Sequence, residues 1–164
     1  MQIDRTIEVA ATPEHLWHIL AEDYANVGLW ARAVQSSAPN DAVAPLPGAT
    51  VGGRVCTASI GAVTETISTY DSANHVLAYT AKAKAMPFFV RNLSGVWRLG
   101  PNGDGTTVTL GFEADLMPPF GTLMGWAMRR QFSTAIDDTL DDLKRFAETG
   151  EIHPEKAAAL AAAS

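Results

Sequence analysis

Residues 2–9, "QIDRTIEV", place Ile3, Arg5, Ile7 and Val9 on one side and Gln2, Asp4, Thr6 and Glu8 on the other. That period of two predicts a strand with one buried face. The next stretch, "ATPEHLWHIL", changes period: Leu16, Trp17 and Leu20 form a helical stripe, Thr12 suits the cap, Pro13 the first helical position, and Glu14 the positive end of the dipole. "YANVGLWA" predicts a second short helix or turn ending near Trp30, and "NDAVAPLPGATVGG" is punctuated by Pro and Gly as a loop. Five further strands are expected at about 54–60, 63–70, 76–84, 90–99 and 106–116, separated by the turn-rich "IGA", "DSAN", "AMPF" and "GPNGDG". Residues 119–149 read as a long helix, periodic in its second half and closed by Gly150, and the Ala-rich tail that follows is expected to be a frayed helix or disordered.

Short connections imply antiparallel neighbours, and a single antiparallel sheet has one face to bury. The long C-terminal helix is the element available to cover it. Strand parity then assigns side chains to the covered face. Leu77, Tyr79, Ala81 and Ala83 share one side; so do Leu93, Gly95, Trp97 and Leu99, which carry Arg91 with them; so do Val108, Leu110, Phe112, Ala114 and Leu116. Ile67 facing inward brings Glu65 inward. On the helix, Leu143, Leu140, Ile136 and Phe132 set the inward direction, and steps of three and four lead to Arg129, Gly125 and Gly121. Leu123 and Trp126 fall on the far side and the flank, where a second copy of the chain would find an apolar patch.

With 164 residues the chain has room for one domain, expected over 1–150, with 151–164 as its tail. A net charge of -6 without a Lys/Arg cluster argues against a nucleic-acid partner. No apolar run reaches the ~18 residues of a spanning helix, so no stable membrane insertion is expected. The N-terminus lacks the pattern of a secretory signal, and a cytoplasmic protein is expected. Lone Cys56 reads as a small buried hydrophobe. His15 and His18 have no third ligand at a metal-binding spacing, phosphate-loop, dinucleotide and Gly-x-Ser-x-Gly motifs are missing, and neither metal nor cofactor is expected. Asp137, Asp138, Asp141 and Asp142 read as a solvated helix face.

The segments "VAATPEHLWHIL", "VGGRVC", "GAVTETISTYD", "LAYTAKAKAMPF", "GTTVTLGFEADL" and "LDDLKRF", in this order of elements, resemble the SRPBCC superfamily with its START-like helix-grip fold, and within it the polyketide cyclase/dehydrase and lipid-transport branch. The resemblance implies an α+β fold: a curved antiparallel sheet of about seven strands around a long C-terminal helix, with two short helices after the first strand. It also implies an elongated cavity for a hydrophobic or amphipathic small molecule such as a lipid or polyketide. Residues expected to line it are Trp30, Glu65, Tyr79, Arg91, Trp97, Phe112, Gly125, Arg129 and Phe132. A carrier or sensor needs only that cavity. A cyclase or dehydratase would add Glu65 as base, with Arg91 or Arg129 stabilising an enolate oxygen. An interaction protein of cochaperone type would instead use the patch around Leu123 and Trp126.

Overall fold

The computed structural model describes residues 1–58 and 61–163, and only the backbone of Phe120 and Thr122. Strand β1 (Gln2–Val9) leads into α1 (Pro13–Trp17), a π-helical turn over His18–Glu22 and a 3-10 helix over Tyr24–Leu29. There follow β2 (Val34–Pro39), β3 (Gly53–Ala58), β4 (Gly61–Asp71), β5 (Val76–Ala83), β6 (Val90–Asn102) and β7 (Gly105–Leu116), then α2 (Phe120–Thr149) and α3 (Pro154–Ala162). The strands form one sheet in the order β1-β7-β6-β5-β4-β3-β2, and every adjacent pair is antiparallel.

Local signals act as the sequence suggests at the helix ends. Thr12 Oγ1 accepts from the His15 amide at 3.2 Å, and Pro13 stands at the start of α1. Gly150 closes α2 with φ 71°, a left-handed value that a residue with a Cβ adopts at a cost. Strand β2 is the element the pattern left unassigned: its side chains are exposed or half-buried and it ends in Pro39, so it carries no hydrophobic period. The expected strand at 54–60 is observed as far as Ala58; residues 59 and 60 lie outside the described residues.

The main core lies between the sheet and the second half of α2. Ile3, Leu77, Val108, Leu140 and Leu143 are buried there, each contributing roughly 1.5–3 kcal/mol over an exposed position. Trp30 belongs to this packing, stacked on Phe146 of α2 with ring centroids 6.4 Å apart and planes 8° from parallel. A second cluster, around Ala81, Phe89, Val90, Leu93 and Ala114, occupies the end of the sheet beneath the first half of α2. Tyr79, Val63, Phe112 and Phe132 touch both clusters.

Two expectations about the C-terminal region are corrected. The acidic residues of α2 are not one solvated face: Asp142 is buried and accepts from the Arg32 amide and Nε, both at 2.7 Å, while Asp137 accepts from Arg5 Nε at 2.7 Å. The tail is not frayed but forms α3, in which Lys156 is buried and its Nζ donates to the Val34 carbonyl at 2.5 Å and the Gln35 carbonyl at 3.5 Å. Gln35 is the extra residue where the β2–β3 register shifts, so the ammonium meets carbonyls turned out of the ladder.

Candidate functional site

The hairpin β3–β4 sets Arg54 directly across from Glu65, on the face covered by the 3-10 helix and α2. Arg54 Nε donates to Glu65 Oε2 at 2.7 Å, and the same oxygen accepts from the Tyr24 hydroxyl at 2.6 Å. Arg54 Nη1 donates to the Tyr24 carbonyl at 2.9 Å, and its guanidinium carbon lies 4.0 Å above the centre of the Tyr24 ring. Tyr24, Arg54 and Glu65 are all buried. A charge withdrawn from water this far requires partners, and each of these groups has them.

The electrostatics follow from that burial. Desolvation pushes the Tyr24 phenol well above its usual value, and nearby Arg54 offsets only part of the effect. For Arg54, burial is the strongest single influence and opposes the charge, but Glu65 together with Tyr24, Cys56 and Tyr79 outweighs it, and the guanidinium is held protonated more firmly than usual. Cys56, the next inward position on β3, has its thiol raised to about 11, chiefly by burial, with Arg54 pulling the other way. The expected small buried hydrophobe is what the structure contains.

Tyr79 stands beside this network, its ring 6.3 Å from that of Tyr24. It lies across Gly95 on β6, where an added Cβ would come within 2.4 Å of the phenol oxygen. The hydroxyl of Tyr79 forms no hydrogen bond among the described residues, and burial raises its pKa. Glu65 lies opposite Ala81, and Tyr79 opposite Gly95, so the polar group borders the small-residue end of the inner face. Phe112 and Phe132 meet across that end, from β7 and α2, with centroids 4.9 Å apart.

Arg91 does not join the site. The β6–β7 register shifts between Val90 and Asn92, which buries Val90 as well as Leu93 and leaves Arg91 exposed; parity counted back from Leu93 fails across the bulge. Trp97 is buried within the main cluster, and Trp30 lies against the second half of α2, so both serve packing. Arg129 is also corrected. Gly121, Gly125 and Arg129 do turn toward the end of β7, since a Cβ on Gly121 would meet Leu116 Cβ at 2.9 Å. The guanidinium nevertheless is exposed, lining an open cleft of about 460 Å³ with Gly125, Trp126, Glu113, Asp115 and Leu116. Met1 also lines the cleft, bonded to Ala114, and Gly125 supplies no side chain to close it.

Tyr24 and Arg54 were missed in the sequence. A signal existed for Arg54: it shares parity with Cys56, and antiparallel pairing of β3 with β4 places it opposite Glu65. Tyr24 carried no comparable signal, because its direction depends on the irregular helical turns that follow α1.

Residues 1–148 match the family described as polyketide cyclase/dehydrase and lipid transport. The chain belongs to this family. Its architecture, a curved seven-stranded antiparallel sheet with a long C-terminal helix, is the START-like helix-grip fold, and solved structures agree. The protein XoxI from Bacillus cereus superposes with a TM-score of 0.70 at 15% identity, over 93% of this chain and 99% of that one. A START superfamily protein from Mycobacterium smegmatis gives 0.60 at 14%, over 88% and 97%. A protein from Thermus thermophilus gives 0.59 at 19%, with both chains fully covered. At such identities the likeness speaks for the fold alone. No curated protein matches the chain.

Within the family's common frame, the described residues of this member hold no group of three or more His, Cys, Asp or Glu placed to bind a metal ion. No helix among them is long and apolar enough to cross a membrane.

Proposed function

We propose that the protein binds a hydrophobic or amphipathic small molecule between the inner face of the sheet and the first half of α2. The observation that carries this reading is the half-exposure of Val63, Tyr79, Phe112 and Phe132. All four belong to the face covered by the helix and touch both apolar clusters, yet they retain accessible surface while Ile67, Leu77 and Leu110 beside them are buried. A guest entering between the sheet and the first half of α2 would cover that remaining apolar surface. Ala81 and Ala114 contribute little side-chain bulk on this face, and Met86, Met117 and Met128 around it are flexible enough to move aside for an apolar guest. Tyr79 supplies the polar anchor, a hydroxyl with no partner among the described residues.

The network behind it favours binding over proton transfer. Glu65 Oε2 accepts from both Arg54 and Tyr24, so its charge is held by two donors rather than presented to a substrate. Glu65 then acts as the support that fixes Tyr24 and Arg54 and, through them, the wall on which Tyr79 rests.

Native mass spectrometry of the purified protein, followed by titration with a panel of long-chain fatty acids and aromatic polyketides, tests the reading. Bound mass and saturable binding that Tyr79→Phe weakens several-fold are expected, in keeping with the ~0.5–1.5 kcal/mol of one hydrogen bond. No retained mass and no saturable binding across the panel would defeat it.

A further inference from the structure

The sequence has no run of basic residues, but the fold makes a cluster. Of the 12 Lys and Arg residues, Arg5, Arg32, Arg54, Lys144 and Arg145 pair with carboxylates. Lys156 is taken up by backbone carbonyls. Among the described residues this leaves six cations without an acidic partner: Lys82, Lys84, Arg91, Arg98, Arg129 and Arg130. All but Arg98 belong to one end of the molecule. Lys82, Lys84 and Arg91 flank the β5–β6 turn; that turn is joined to the start of α2 by pairing of Val90 with Leu116 and by the Met117 amide donating to the Phe89 carbonyl at 2.7 Å.

The same end exposes large apolar side chains. Phe88 in the turn is 75% exposed, and on α2 Leu123 is 68%, Met124 48% and Trp126 72% exposed. We propose that this end is a docking surface for an anionic lipid membrane, in which these four apolar residues enter the interface and the five cations rest against the headgroups. Apolar side chains and unpaired cations together are what an interfacial surface needs: burial of the former and attraction of the latter add. A second copy of this chain fits less well, because a symmetric contact would set five cations against five. Glu113 and Asp115 are the opposing charges and line the cleft beside Trp126 and Arg129, so the five cations face these two carboxylates and keep the excess. The proposal does not depend on what the interior holds.

Trp126 makes the test simple, since Trp17, Trp30 and Trp97 are buried and it alone of the 4 tryptophans is exposed. Vesicles of phosphatidylcholine with phosphatidylglycerol should shift the protein's emission to the blue and carry it down on sedimentation, an effect that rising salt reverses. Pure phosphatidylcholine should bind far less. Trp126→Phe should abolish the spectral shift while sedimentation persists. The pair Arg129→Gln/Arg130→Gln should lower binding to anionic vesicles about 25-fold, at roughly fivefold per cation near the surface. Lys82→Gln/Lys84→Gln/Arg91→Gln, on the other side of the surface, serves as an independent variant should the first not fold. The proposal falls if wild-type protein ignores anionic vesicles, if neutral vesicles bind equally well, or if size-exclusion shows a dimer that Leu123→Ser/Trp126→Ser dissociates.

Discussion

Glu65→Gln isolates the charge in the buried network while keeping the shape of the side chain. In the native protein the carboxylate and the Arg54 guanidinium are in contact at 2.7 Å, with side chains only 12% and 11% exposed. Two unit charges about 4 Å apart attract by ~4 kcal/mol at an effective dielectric constant near 20, which matches the ~3–5 kcal/mol lost when a buried pair keeps only one member. Glutamine still accepts one of the two hydrogen bonds, and Arg54 retains the Tyr24 carbonyl and ring, so the lower half of that range applies. For a chain of 164 residues, a loss of about 3–4 kcal/mol lowers Tm by about 10 °C. Circular dichroism during heating measures it. The companion variant Tyr24→Phe/Arg54→Met/Glu65→Leu removes both charges and the hydroxyl together and should recover most of the loss, because no buried charge is then left unpaired and only the Tyr24 carbonyl gives up a donor. A Glu65→Gln protein that melts within about 3 °C of wild type, a change below ~1 kcal/mol, would mean that water reaches the pair, and the account of the wall behind Tyr79 would fail.

Three further outcomes follow from the same interior and its edges. Gly95→Ala drives a methyl group into the Tyr79 ring, so a loss of about 1–3 kcal/mol and weaker ligand binding are expected by thermal melting and titration; an unaffected Tm would show that Tyr79 moves freely. Cys56, with its thiol at about 11, should resist alkylation at pH 8 in the native protein and react at once in denaturant; equal rates would place it at the surface. His18 has a raised pKa, first through its hydrogen bond to Glu22 and then through the nearby charge of Asp23. The stabilising contact is therefore complete below the unfolded histidine value and fades as pH rises through the higher folded value. NMR titration should show a midpoint above that of a free histidine, which Glu22→Gln brings back down.

Strands β5 to β7 were legible because each keeps an alternation over about eight residues, and β4 because it alternates from Val63 to Ile67 before a bulge; one buried face then leaves a single register acceptable. Arg91 shows where that logic ends: one bulged residue reverses the face, and nothing in "VRNLS" announces it. Arg129 shows a different limit. Helical phase puts Arg129 on the side of Gly121 and Gly125, but at this height that side borders an open cleft at the end of β7 and the guanidinium is exposed, which periodicity alone does not reveal. Glu65 was found from parity alone, while its partners Tyr24 and Arg54 come from an irregular turn and from a strand whose pairing had to be known first.

Lys156 has a consequence for how the molecule keeps to itself. Strand β2 is the last in the sheet, and a terminal strand with unpaired carbonyls is a template on which another chain can add a strand. The buried ammonium fills that vacancy at the bulge, and α3 stands beside it as a guard. Removing α3 would therefore expose the Val34 and Gln35 carbonyls at the rim of the sheet, where a strand of another chain could add.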